Sequence, residues 1–88
     1  MGRPALEPHQ QNMTERIIQL ISQLGGVDYV EPNEGFYDAG FSSVRALELL
    51  LALEEDFGVQ IPDNQFIAAR TPREIADLIE RLQQTQAA

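Results

Sequence analysis

Apolar residues recur at helical spacing in separate stretches of the chain. Met13, Ile17, Leu20, Ile21 and Leu24 fall on one helix face. Thr14 is placed to cap the start of this helix, and Gly25-Gly26 to end it. A first helix over 14–24 is predicted. Further on, Val44, Leu47, Leu50, Leu51 and Leu53 or Glu54 trace a broad apolar stripe that Phe57 extends. This predicts a second helix over 43–57, with Glu48, Glu55 and Asp56 directed to other faces. Gly58 stops it, and Pro62 delays any restart. Residues 63–68 fit a short third helix, capped by Asp63 and burying Phe66 and Ile67. The last helix is the best marked: Thr71 as N-cap, Pro72 at the first helical position and Glu74 closing a capping box. Ile75, Leu78, Ile79 and Leu82 supply its buried face.

The stretch 27–41 is too long for a simple helix–helix turn. Its apolar members, Val27, Tyr29, Val30, Phe36, Tyr37 and Phe41, predict a loop pinned onto the core. Ordered loops of this length in small domains tend to have functional roles. The expected fold is all-α, a four-helix bundle of three long helices and one short, with a long loop between the first and second. Residues 13–82 form the domain. Residues 1–12 and 83–88 read as flexible tails, the second without an anchor and expected to fray.

Composition narrows the chemistry. At 88 residues the chain makes one domain, too small for a deep, water-excluding active site. It has no cysteine, which removes disulfides and thiolate catalysis. Its one histidine, His9, lies in the N-terminal tail, so a hydrolase built on a serine would lack a base. No spacing of acids matches a calcium loop, and no metal site is expected. No apolar run approaches the about 20 residues needed to span a bilayer. Residues 1–12 lack the apolar centre of a signal peptide. The expected form is a cytoplasmic, non-catalytic monomer.

Charge distribution adds a direction. From Asp28 to Asp63 there are nine acids and one base, Arg45, and elsewhere acids and arginines cancel, so the whole formal charge of −8 lies on the central segment. Nucleic acid and anionic membrane would be repelled. A basic protein surface is the natural complement, unless the acids serve solubility alone.

Three serines remain as candidate chemistry. Ser22 lies within the first helix. Ser42 and Ser43 stand together where the loop meets the second helix, and a hydroxyl there is commonly a cap.

The surrounding motif resembles the prosthetic-group region of acyl and peptidyl carrier proteins, which are four-helix bundles of this size. The entry is Phe36-Tyr37-Asp38-Ala39-Gly40. Downstream come Glu48-Leu49, Leu53-Glu54-Glu55-Asp56-Phe57-Gly58 and Ile61-Pro62-Asp63, and the Thr71-Pro72 helix start is similar too. The family pattern is Asp-Ser-Leu with Glu-Leu following, and counting back from Glu48 lands on Ser43. The resemblance implies that Ser43 carries a 4′-phosphopantetheine arm, attached from coenzyme A by a phosphopantetheinyl transferase. The arm's thiol would hold acyl or aminoacyl groups as thioesters for fatty-acid, polyketide, nonribosomal-peptide or related biosynthesis. Loading enzymes and synthases with basic docking surfaces are the implied partners, meeting Val44, Glu48, Glu55 and Asp56. The length resembles a discrete type II carrier. Two positions depart from the pattern: Ser42 replaces the usual Asp, and Val44 the usual Leu. Ser42 is the minor alternative for attachment. An unmodified acidic interaction module of the same fold is the alternative function.

Overall fold

The computed structural model of the chain describes residues 8–86, and their side chains from residue 12 onward. Four α-helices form: α1 (Pro8–Gly25), α2 (Ala46–Phe57), α3 (Asp63–Ala68) and α4 (Pro72–Gln86). A single 3₁₀ turn, Ser43–Arg45, leads into α2. No strand occurs among the described residues. The all-α bundle with a long first loop is therefore the observed architecture. Its centre is α1, packed mainly on α4 and α2.

Helix extends into both of the stretches expected to be tails. Helix α1 begins at Pro8, so residues 8–12 are helical rather than tail, and residues 1–7 lie outside the described part. Thr14 is consequently buried in mid-helix, away from the helix start it was expected to cap. At the other end α4 continues to Gln86. The Gln86 side chain donates to the Gln60 carbonyl at 2.9 Å and accepts from the Gln60 N–H at 3.1 Å. Gln83 donates to the Phe57 carbonyl at 3.4 Å. These long-range amide bonds are the anchor that no apolar periodicity could reveal.

The two glycines after the first helix have different tasks. Gly26 adopts φ 67°, the left-handed conformation that closes a helix, and its N–H bonds the Ser22 carbonyl at 3.0 Å. Gly25 is still helical, but the buried Phe41 ring lies where its Cβ would project. Glycine is needed there for close approach, not for its backbone freedom.

Helix α2 is apolar on two sides, and burial separates them. Leu49, Leu50 and Leu53 enter the core, with Ala46 and Phe57 packed at its edge. Val44, Leu47 and Leu51 are exposed, at 85%, 63% and 55%. The single broad stripe read from the sequence was thus two stripes. At about 100° per residue, Leu47 and Leu51 lie almost opposite Leu49 and Leu53. Ile67 of α3 and Tyr29 of the loop, both expected inside, are also exposed. Asp63 begins α3 without a side-chain cap.

The loop is held as anticipated by Val30, Phe36 and Phe41, all buried. The Phe36 ring stacks at a tilt on Tyr37, centroids 4.6 Å apart, and meets Phe41 edge-on at 5.6 Å. Two backbone bonds stitch the loop to the start of α4: Phe36 N–H to the Arg70 carbonyl at 3.1 Å, and Arg73 N–H to the Pro32 carbonyl at 2.9 Å. The α4 cap forms as expected on one side, with Glu74 N–H donating to Thr71 Oγ1 at 3.1 Å. On the other side Glu74 reaches one residue further back and accepts from Arg70 N–H at 2.7 Å.

An ion pair ties α1 to α2. Arg16 holds Asp56 in a two-pronged grip, Nε to Oδ2 at 2.9 Å and Nη2 to Oδ1 at 3.1 Å. The hydrogen bond from Arg16 holds the Asp56 carboxyl below its ordinary value, with partial desolvation opposing it and charge attraction assisting. A carboxyl pKa lower in the folded state stabilises the fold above the unfolded value of 3.8, and that contribution is lost as pH falls through the folded value. Asp56→Asn should therefore lower the thermal midpoint at neutral pH by a small amount, because both groups are partly exposed. The gap between variant and wild type should close in acid. Thermal melts of both proteins across that range test this; a gap that widens in acid would contradict it.

Candidate functional site

The junction of loop and α2 is built by Ser42. Its backbone is extended, at φ −76° and ψ 132°, and its Oγ accepts from the Val44 N–H at 3.2 Å. Its carbonyl accepts from the Arg45 N–H at 3.0 Å. Ser42 is thus the N-cap, and the pair of serines divides: both are exposed, but only the Ser42 oxygen is engaged by the backbone. Ser43 is exposed, and its hydroxyl forms no hydrogen bond among the described residues. It stands on the 3₁₀ turn, one turn ahead of the α-helix expected to start there.

Beside Ser43 lies a crevice of about 540 Å³ lined by Tyr37, Phe41, Ala46, Ile67 and Arg70 as well as Ser43 itself. A second hollow of about 180 Å³ shares Ala46 and Ile67 and adds Leu47, Leu50, Asp63 and Phe66. Together they form a mostly apolar trough between α2 and α3, starting at the serine. Burial raises the Tyr37 phenol pKa, and the charge of Arg70 works against that rise. A free hydroxyl at the mouth of a trough in the size range of small-molecule clefts, about 300–1,000 Å³, suits a covalently tethered, partly apolar chain. The residues present fit a phosphate ester as well: an unengaged oxygen to bear it, and an arginine, Arg70, among those lining the same crevice.

The residues expected to meet partners do not all share one surface. Val44, Glu48 and Glu55 project from the exposed side of α2 together with Leu47 and Leu51. Glu48 accepts from Arg45 Nη1 at 3.2 Å; Glu55 has no ion pair among the described residues. Asp56 points round the helix to α1, where Arg16 takes up its charge. Glu54 turns back and accepts from the Ile61 N–H at 2.9 Å, bracing the turn after α2. The acidic run at 54–56 is therefore three residues with three different environments.

Sequence reasoning missed Arg70 and the trough. Arg70 is remote from Ser43 along the chain, and only the folding of the loop against the α3–α4 junction brings them to one crevice. Phe66 and Ile67 form a short apolar pair, a pattern that cannot tell which of two neighbours faces in; Phe66 is buried and Ile67 exposed.

Comparison with known proteins places the chain in a family. The sequence profile of the phosphopantetheine attachment site family matches residues 15–79. An acyl carrier protein of Sinorhizobium fredii is 33% identical over 75 residues, spanning 82% of this chain and 96% of that protein. The chain spans about half, 48%, of the mitochondrial acyl carrier protein of Dictyostelium discoideum, at 34% identity over 58 residues. Among solved structures, a type II acyl carrier protein from Streptomyces verticillus involved in bleomycin biosynthesis superposes with TM-score 0.75. It is 20% identical, covering 83% of this chain and 88% of that one. A hexanoyl carrier protein of the actinorhodin polyketide synthase of Streptomyces coelicolor gives TM-score 0.61 at 28% identity, covering 89% and 92%. No helix among the described residues is long and apolar enough to cross a membrane.

Proposed function

The chain belongs to the carrier proteins that bear a phosphopantetheine attachment site, and we propose that Ser43 is its attachment residue. The observation that supports this is the division of labour between the serines. Ser42 Oγ is engaged in capping, whereas the Ser43 hydroxyl is exposed at the mouth of the trough. When bound, the 4′-phosphopantetheine arm supplies the terminal thiol on which acyl or aminoacyl groups are held as thioesters. The chain's own residues do the rest. Ser42 holds the turn rigid, so that Ser43 presents its oxygen outward to a phosphopantetheinyl transferase that takes its proton. Tyr37, Phe41, Ala46 and Ile67 offer the arm an apolar bed. The domain performs no catalysis of its own. It works as a monomer in the cytoplasm and serves loading enzymes and synthases that reach its exposed α2 surface.

Incubation with coenzyme A and a broad-specificity transferase tests this. Intact mass should rise by one phosphopantetheine, and peptide mapping should place it on Ser43. No gain would favour the alternative, an unmodified acidic interaction module.

The exposed side of α2 is the proposed docking surface, with Val44, Leu47 and Leu51 as apolar contacts and Glu48 and Glu55 as charges. Glu55→Lys should slow loading several-fold at low salt, through slower encounter with a basic partner. Glu48→Lys should do less, since Arg45 already offsets that charge. Asp56→Asn should do least. Loading rates measured over a salt series decide it. Equal effects of all three, or no dependence on salt, would leave the acids a solubilising role only.

A further inference from the structure

We propose that Arg70 holds the phosphate of the arm. Its guanidinium pairs with the phosphodiester on Ser43 and fixes the base of the arm at the mouth of the trough between α2 and α3. This rests on Ser43 being the attachment residue.

A phosphodiester on Ser43 adds a negative charge to a segment that already holds all of the −8. The usual remedy is the set of free N–H groups at a helix start. Here that remedy is partly pre-empted, because Ser42 engages two of them: Oγ takes the Val44 N–H and the carbonyl takes the Arg45 N–H. A cation has to come from elsewhere. Arg45 is nearest in the chain, but its guanidinium is bound to Glu48 and does not line the crevice. Arg16 is committed to Asp56. Arg70 lines the same crevice as Ser43 and has no ion pair among the described residues.

The main chain of Arg70 is also held in place. Its N–H is bound by Glu74 and its carbonyl by the Phe36 N–H. The side chain therefore projects from a fixed point, and its charge is felt at Tyr37 on the same wall. A planar guanidinium can bond two phosphate oxygens at once, which a lysine ammonium cannot match in geometry. Arg70 is a positioning residue: it restrains where the arm leaves the domain.

The test uses ¹⁵N-labelled full-length protein before and after conversion with coenzyme A, with attachment on Ser43 verified by peptide mass. At mildly acidic pH, where guanidinium exchange is slow, the Arg70 Nε–Hε signal should shift downfield on conversion. The signals of Arg45 and Arg81 should stay in place. In parallel, the ³¹P line of the converted Arg70→Gln variant should be narrower than wild type, reporting a freer phosphate. Arg45→Gln should match wild type, and Arg70→Lys should fall between. Glutamine retains both main-chain bonds at position 70, so the variant keeps the local fold. An unmoved Arg70 signal on a protein that does bear the arm overturns the proposal alone, as does narrowing by Arg45→Gln instead. Failure of any arm to attach to Ser43 overturns the attachment reading and this inference with it.

Discussion

Ser43→Ala is expected to abolish uptake of the phosphopantetheine arm completely while leaving the fold unchanged. The hydroxyl makes no hydrogen bond among the described residues and its side chain is exposed, so its removal takes no packing or polar contact from the domain. Surface changes of this kind usually alter stability by less than about 0.5 kcal/mol. The neighbouring hydroxyl cannot substitute, because Ser42 Oγ is turned along the backbone to cap Val44. Ser42→Ala gives the opposite result: attachment persists, but loss of the cap lowers stability by about 0.5–2 kcal/mol. Intact-mass loading assays and thermal melts on both variants separate the two roles. Modification of Ser43→Ala, or loss of modification in a folded Ser42→Ala, would reverse the assignment.

Phe36→Ala should be the most destabilising single change in the site region. The ring is fully buried and packs against both Tyr37 and Phe41. Truncating a core Phe to Ala costs about 3–5 kcal/mol. Stabilities of whole domains run to only about 5–15 kcal/mol, with small ones at the low end. At about 4–8 °C per kcal/mol for a domain of this size, the thermal midpoint should fall by at least about 12 °C. Loading should suffer even where the helices survive. Phe36 holds the loop to Arg70 through its N–H and accepts from the Phe41 N–H through its carbonyl, and those residues form walls of the trough. Circular dichroism melts together with loading rates measure both effects. A shift of only a few degrees with normal loading would show that the loop does not depend on this ring. Phe36→Leu, which refills most of the volume, should recover much of the loss.

Much of this molecule was legible along the chain. The Thr71-Pro72 start of the last helix and the Gly58 stop of the second are local chemistry, settled within a few residues of themselves. The same holds for Phe36 and Phe41 as loop anchors, since a phenyl ring has no polar atom to leave in water, whereas Tyr29 of the same loop carries a hydroxyl and stays exposed. The register from Glu48 back to Ser43 could be read at all because that motif is contiguous. The errors have one physical origin. Where a helix is apolar on two sides, as α2 is, periodicity alone cannot choose the inner face, and Leu47 and Leu51 read as core although they are exposed. Where anchoring is polar, as with Gln86 on Gln60, it leaves no hydrophobic trace. Where a charge is neutralised by a distant partner, as Asp56 is by Arg16, the sequence shows only an acid among acids.

By itself, then, the sequence determined the helical class, the cap of the last helix, the glycine stops, the acidic centre and the serine pair, because each depends on neighbours in the chain. Only the tertiary structure decided which serine oxygen is engaged in a cap, which acid is taken up by a distant arginine, and that Arg70 shares a crevice with Ser43. Those are properties of surfaces made by packing α2, α3 and the loop together, where residues far apart in sequence meet through burial and hydrogen bonds that no local pattern encodes.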